Sequence, residues 1–301
     1  MNHPHTVIII VGATAVGKTD FAIQAARLLD TAIISADSRQ CYRELNIGVA
    51  KPSAEQLESI RHYFINSHSI QDEVNAMVFE SFALRAAEEI FLRRNVAVIA
   101  GGTGLYVKAF CEGLDEIPAV DQQIRQEVTG SYDRYGLSWL QEQVKTKDPV
   151  FWETAEQQNP QRLMRALEVI LSSGQSITGF RSGGRQPRAF NIIKVGLDLP
   201  RNLIYERINR RVDQMMERGL EAEARALFPF RHLNALQTVG YQELFEYFEG
   251  KCTLHSAIEN IKTNTRRYAK RQLTWFRKDK DVRWFPAGTP AEKVIAQVFK
   301  H

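Results

Sequence analysis

Three short runs, wholly or mostly apolar, mark the first third of the chain: Val7-Ile8-Ile9-Ile10-Val11, Thr31 to Ala36, and Val96 to Ala100. They are continuous rather than alternating, as in parallel strands covered on both faces. Between them the apolar spacing changes to three and four. Phe21, Ala22, Ala25, Ala26 and Leu29 predict a helix after the first run, and Phe79, Phe82, Ala83, Ala86, Ala87 and Ile90 predict one over 77–93. Ser53 with Gln56 three residues on is a capping box that opens a further helix. Strands alternating with helices predict an α/β chain with a parallel sheet.

The pattern shifts between Gly113 and Asp121, where Pro118 punctuates it, and reads as helical up to about Ala189. Asn159-Pro160 is a helix start, with Asn as cap and Pro in the first turn. Leu163, Ala166, Leu167, Ile170 and Leu171 form its apolar stripe, and Gly174 ends it. Arg162 and Arg165 lie three apart off that stripe, on a face that suits solvent or a polyanion. Arg181 to Arg188 reads as a basic loop returning to the core. Lys194 to Leu199 is again strand-like. Helices are predicted from about Leu203, carrying Arg207, Arg210 and Arg211, and over Glu221 to Phe228; Gln237-Thr238-Val239-Gly240-Tyr241-Gln242 is a turn into another. The expected layout is a core of residues 1–117 and 190–301 with a helical insertion, 118–189.

From Asn260 to Lys278 there are seven basic residues and no acid: Lys262, Arg266, Arg267, Lys270, Arg271, Arg277 and Lys278. Ile258, Ile261, Thr265, Tyr268, Leu273 and Phe276 recur beside them at helical spacing. A one-sign face without acids four residues away predicts a surface for phosphates rather than a salt-bridged helix. Trp275 reads as core before it reads as a stacking platform.

Charge sharpens the division. Residues 1–120 carry 10 Lys and Arg against 14 Asp and Glu, while residues 121–301 carry 29 against 21. The second part therefore suits a polyanionic partner. The 44% hydrophobic content is ordinary for a globular chain, and no apolar run reaches membrane-span length. Met1 to Thr6 show no signal-peptide pattern. Cys41, Cys111 and Cys252 are too far apart for a zinc-type pair and suggest reduced thiols in the cytoplasm.

The chemistry concentrates at strand ends. Gly12-Ala13-Thr14-Ala15-Val16-Gly17-Lys18-Thr19 fits the P-loop pattern at every fixed position, between a strand and a helix. Its backbone N–H groups can close around phosphate oxygens, Lys18 adds a full charge, and the Thr19 hydroxyl suits Mg²⁺ or a phosphate. The loop alone does not say which phosphorylated molecule it holds. Asp37 ends the second strand and is expected on the same sheet edge, as proton acceptor, Mg²⁺ partner or helix cap. The third strand runs into Gly101-Gly102-Thr103-Gly104, which places a hydroxyl there but no acid, unlike an ATPase with a metal-binding strand carboxylate.

These strings together resemble the tRNA dimethylallyltransferases (tRNA isopentenyltransferases). The likeness rests on the P-loop, Ser35-Ala36-Asp37-Ser38-Arg39-Gln40-Cys41-Tyr42-Arg43, Ile47-Gly48-Val49-Ala50-Lys51-Pro52, and Gly101-Gly102-Thr103-Gly104-Leu105-Tyr106. It continues through Asn159-Pro160-Gln161-Arg162, Val239-Gly240-Tyr241 and Lys270-Arg271-Gln272-Leu273-Thr274-Trp275. Val49 departs from the usual Thr. The carboxyl end lacks the zinc-finger extension of eukaryotic members, which suggests the bacterial type. The resemblance implies a P-loop, nucleotide-kinase-like core, and transfer of a dimethylallyl group from dimethylallyl diphosphate to N6 of the adenosine 3′ of the anticodon. The tRNAs would be those reading codons that begin with U. It further implies a cytoplasmic, monomeric enzyme that uses Mg²⁺ and no membrane.

Under the resemblance Thr14 to Thr19 and Arg211 hold the diphosphate, Asp37 takes the N6 proton, and Thr103 orients the acceptor. Ser38, Arg39 and Gln40 would read the base edge. Further tRNA contacts are implied at Arg125, Gln161, Arg162, Leu163, Met164 and Arg165 on the insertion. On the core they are implied at Gln237 to Gln242 and at Lys270, Arg271, Gln272, Leu273, Thr274, Trp275, Phe276 and Arg277. Competing readings are a small-molecule P-loop kinase, an adenylate isopentenyltransferase, and a non-catalytic nucleic-acid-binding switch. The first two leave the insertion arginines unused, and the third leaves Asp37 and Thr103 unused.

Overall fold

The structure, a computed structural model, describes residues 4–181 and 183–300. Met1, Asn2, His3, Ser182 and His301, which fall within the expected core and basic-loop ranges, lie outside the described residues. The chain forms two compact units, Met1–Glu112 with Pro187–His301, and Gly113–Gln186. The junctions expected after residue 117 and before residue 190 differ from these by a few residues.

In chain order the elements are β1 (Thr6–Gly12), α1 (Lys18–Leu28), β2 (Ile33–Ser35), α2 (Ala54–Ser59), β3 (His62–Tyr63), α3 (Ala76–Phe91), β4 (Val96–Ala100) and α4 (Gly104–Glu112). The second unit contributes α5 (Gln122–Lys147), α6 (Pro149–Thr154) and α7 (Pro160–Ser173). The chain returns through β5 (Asn191–Asp198), α8 (Arg201–Glu217), α9 (Leu220–Leu227), α10 (Tyr241–Phe248), α11 (Leu254–Phe276), β6 (Val282–Pro286) and α12 (Ala291–Val298). The six strands form one all-parallel sheet in the order β3-β2-β4-β1-β5-β6.

β1 is central because its five apolar residues, Val7 to Val11, have no exposed surface at all. Burying a branched side chain of this kind is worth about 1.5–3 kcal/mol. Ile8 and Ile10 pack with Phe21, Ala22, Ala25 and Ala26 of α1 and with Val294 and Val298 of α12. The alternate residues, Val7, Ile9 and Val11, face the other side. At the top of β1, Ala13 and Ala15 of the P-loop pack under Ile204 and Ile208 of α8 and Ala269 of α11.

The second unit has its own core of Val128, Leu140, Val144, Leu163, Ala166 and Leu167. Asn159 caps α7 by accepting from Arg162 N at 3.3 Å, and Gly174 ends it at φ 70°. Buried Asp148 caps α6 through Phe151 N and accepts from Ser176 Oγ at 2.9 Å.

Two sequence expectations are corrected. Arg188 is an anchor rather than part of a free basic loop: it pairs with Glu80 at 2.6 Å and donates to the Ala109 and Phe110 carbonyls. The basic face of α11 is not unpaired either. Lys262 meets Asp213 of α8 at 2.8 Å and Glu259 at 2.9 Å, and Arg266 bonds Asn209 of α8. Asp213 lies on another helix, where spacing along the segment could not show it, whereas Glu259 stands three residues before Lys262, just outside the stretch from Asn260.

The ends of β2 and β4 are spliced at one backbone contact. Ala36 N donates to Ala100 O at 2.8 Å and Thr103 N to Ala36 O at 3.1 Å. A Cβ on Gly101 would lie 2.1 Å from Ala36 O, so only glycine fits there. Gly101→Ala should destabilise the protein by about 1–3 kcal/mol, as overpacking does, read from the midpoint of urea unfolding. An unchanged midpoint would mean that the two strand ends separate without cost.

Candidate active site

Parallel strands place the loops after β1, β2 and β4 on one edge. There they meet residues of α8, α11 and the turn before α10 around a cavity of about 670 Å³. Thr14, Lys18, Thr19, Asp37, Ser38, Arg39, Gln40 and Arg211 line it together, as do Gln237 to Gly240 and Gln242. The whole cavity belongs to the first unit.

In the P-loop, Ala15 takes a left-handed φ of 64°, and Lys18 curls back so that Nζ donates to Ala13 O at 2.7 Å and Gly12 O at 3.1 Å. Two arginines of α8 brace the loop: Arg207 donates to Val16 O at 3.2 Å and Arg211 to Thr14 Oγ1 at 3.5 Å. Burial, then the charge of Arg211, push Lys18 down to about 7, against the opposing pull of Asp37. Burial also lowers Arg211. Two desolvated cations with an N–H-rich loop form a strong anion cradle.

Asp37 Oδ1 accepts from Arg39 N at 2.9 Å and Gln40 N at 3.3 Å, so the carboxylate caps its own turn while lining the cavity. Its Oδ2 makes no hydrogen bond among the described residues. Thr103 accepts from Ser38 N at 3.0 Å and lies beside Tyr268, whose phenol is pushed up to about 12 by burial and then by Asp37. Thr103 is half-buried and directly follows the lining residues Gly101 and Gly102, and it ties their loop to the turn that carries Asp37.

Six cations line the cavity (Lys18, Arg39, Lys51, Arg211, Arg218 and Arg271) against two acids, Asp20 and Asp37. Lys51, Arg218 and Tyr268 were not foreseen as site residues, nor was Arg207 as a brace. Lys51 is held down to about 8 by burial, with Glu223 opposing. Its position in the string Gly48 to Pro52 was the only signal. Among the described residues no group of three or more His, Cys, Asp or Glu is placed to hold a metal ion. Thr19, Asp20 and Asp37 do offer oxygen ligands in the cavity. That fits Mg²⁺, which takes one or two protein oxygens together with substrate phosphates.

Several expected tRNA contacts face the core instead. Leu163, Met164, Tyr241, Gln272 and Phe276 are all buried, so their side chains cannot meet an RNA surface. Gln272 spends its amide inside the site, accepting from Thr14 N at 2.8 Å and donating to Gly102 O at 2.9 Å. Leu273 is partly buried against the P-loop cluster. Lys270, Arg271, Thr274, Trp275 and Arg277 are exposed on α11, with Arg277 held by Asp198 at 3.0 Å. In the second unit Gln161 and Arg162 are exposed, and Arg125 and Arg165 converge on buried Glu168 at 4.0 and 3.7 Å.

The family model described as IPP transferase matches residues 40–279. The chain belongs to the IPP transferase family. A tRNA dimethylallyltransferase of Christiangramia forsetii is 47% identical over 93% of this chain and 92% of its own, and that of Flavobacterium johnsoniae is 44% identical over 98% and 97%. Among solved structures, a tRNA isopentenylpyrophosphate transferase from Bacillus halodurans superposes with a TM-score of 0.71 at 36% identity, over 98% of this chain and 95% of that one. A eukaryotic dimethylallyltransferase acting on tRNA gives 0.81 over 98% of this chain and 79% of its own. At 23% identity that likeness speaks for the fold alone.

Lys18 supplies a titration test of the cradle in this IPP transferase. Its depressed pKa means that the cation is present below about 7 and lost as pH rises through it. Sulfate does not titrate in this range, so its affinity should fall about tenfold from pH 6 to pH 8. Chemical-shift titration of the Gly17 and Lys18 amides would measure this. A flat profile would show that Lys18 stays charged throughout.

Proposed function

We propose that the protein transfers a dimethylallyl group from dimethylallyl diphosphate to N6 of the adenosine 3′ of the anticodon, in tRNAs reading codons that begin with U. The observation that carries this reading is that the anion cradle and Asp37 face one cavity. As the donor's C1–O bond breaks, Lys18 and Arg211 neutralise the charge growing on diphosphate. The N6–C1 bond forms, and the N6 proton goes to Asp37, whose Oδ2 is unengaged. An adenine amine is a weak nucleophile, so positioning and a base matter as much as the leaving group. Thr19, with Asp20 or Asp37, would hold Mg²⁺, which adds further charge neutralisation at the diphosphate.

The acceptor base must leave its stack to enter the cavity. Arg39, Gln40 and the backbone of Gln237 to Gly240 would surround it. The exposed basic residues of α11 and the Arg125, Arg162 and Arg165 group of the second unit would take tRNA phosphates. Three free cysteines and no helix long and apolar enough to span a membrane, among the described residues, agree with action in the cytoplasm. We take the enzyme to act as a monomer.

Radiolabelled dimethylallyl diphosphate supplied with bulk tRNA, with AMP, or alone tests the reading directly. Label should enter tRNA only. Label in AMP would favour an adenylate isopentenyltransferase, and ATP consumption would favour a kinase. Asp37→Asn keeps the turn cap but removes the base, and should lower kcat by roughly 10²–10⁴-fold with tRNA affinity preserved. Loss of tRNA binding with intact single-turnover chemistry would make Asp37 a binding residue.

The arginine group is tested by salt. Arg162→Ala with Arg165→Ala should weaken tRNA binding and lower the log–log salt slope by about 0.7–0.9 for each phosphate left without its arginine. Affinity for the donor should stay unchanged, since the P-loop lies in the other unit. An unchanged slope would reduce these arginines to a solvated face.

A further inference from the structure

Two loops far apart in sequence, residues 48–52 and 237–242, form part of the cavity wall. Behind them stands Glu223 of α9, which does not itself line the cavity. Its Oε2 accepts from Ile47 N at 2.9 Å, and its Oε1 accepts from Gly48 N at 3.0 Å and from the Tyr241 hydroxyl at 2.6 Å. Three donors from two loops thus end on one carboxylate. Tyr241 has no exposed surface, and burial followed by the charge of Glu223 pushes its phenol up, so it remains a donor.

Glycine at 48 is part of the same joint. A Cβ there would fall 2.6 Å from Tyr241 Cζ, so the ring rests directly on the Gly48 backbone. The Asp37 turn leans on these same segments. Arg39 donates to Asn234 O at 2.8 Å and Gln237 O at 3.3 Å, and Gln40 donates to Val49 O and Ala50 O.

We infer that Glu223 is a positioning residue: it clamps the Ile47–Gly48 loop to Tyr241 and thereby holds the wall that supports Arg39, Gln40 and Asp37. Only an anion with two acceptor oxygens satisfies all three donors. In Glu223→Gln one oxygen becomes an NH₂ facing a donor, and the joint opens on at least one side. The consequence for catalysis rests on the transfer reading above. The wall serves the acceptor, whereas the diphosphate cradle belongs to the P-loop and α8.

The test has one readout that needs no activity. Hydrogen exchange is compared in wild type, Glu223→Gln, Tyr241→Phe and a control, Glu221→Gln, whose side chain pairs with Arg225 outside the site. Glu223→Gln should speed exchange about tenfold or more in residues 46–51 and 238–242 together, with the P-loop unchanged. Tyr241→Phe keeps the two backbone donors and should loosen the same segments less. Exchange as in wild type, or a change confined to α9, would overturn the clamp.

In the transfer assay Glu223→Gln should lower kcat/KM for tRNA about tenfold or more, with the Kd for dimethylallyl diphosphate and the Glu221→Gln activity unchanged. Loosened loops with unaltered kcat/KM, or an equal loss of donor affinity, would overturn the positioning role. If Glu223→Gln does not fold, Tyr241→Phe and Gly48→Ala carry both readouts. Should wild type transfer nothing to tRNA, the functional reading fails, while the exchange result still decides the clamp.

Discussion

Every strand of the sheet runs the same way, and that constraint decides where chemistry can happen. β1 is buried on both faces and hydrogen-bonded on both sides, so it cannot tilt without exposing five apolar residues. Its carboxyl end fixes the P-loop. β4 and β2 follow in register, and the Ala36–Gly101 contact draws their ends together. Asp37 therefore arrives beside the phosphate cradle through backbone geometry rather than through a side-chain partner. A loop could supply the same residue types, but not with the same rigidity.

Electrostatics builds on that frame. Burial makes Lys18 and Arg211 costly to keep charged next to each other, and among the described residues neither has a carboxylate at bonding distance. In the proposed reaction a diphosphate would supply the missing charge, and its binding would relieve a penalty already present in the fold. Asp37 is one of two acids, with Asp20, that face these cations in the cavity. It lies close enough to raise Lys18, and it has one oxygen left for a proton.

The core was legible because its signals are local. Continuous apolar runs announced β1, β2 and β4; the Ser53 and Asn159 caps announced α2 and α7; and the P-loop string carried its own context. β3 and β6 were missed: the first has only two residues, and β6 mixes Arg283 and Pro286 into its apolar positions. Of the site, the strand-end residues Lys18, Thr19 and Asp37 were readable because topology alone places them. The burial of Gln272 and Tyr241 was not, since both stand in motifs that also hold exposed residues. Lys262 was read as unpaired because Asp213 lies on another helix and Glu259, three residues before it, falls just outside the stretch from Asn260. The clamp at Glu223 had no sequence signal, because its three donors are contributed from residues 47, 48 and 241.

The central claim is that one cavity holds both the leaving group and the proton acceptor. A crystal structure with a non-reactive thio analogue of dimethylallyl diphosphate and an anticodon stem-loop tests it most directly. The account predicts diphosphate on the amides of Thr14 to Thr19, and the flipped adenosine with N6 within about 2.6–3.2 Å of an Asp37 oxygen. An adenosine that is bound elsewhere, or that faces the P-loop with Asp37 turned away, would contradict it.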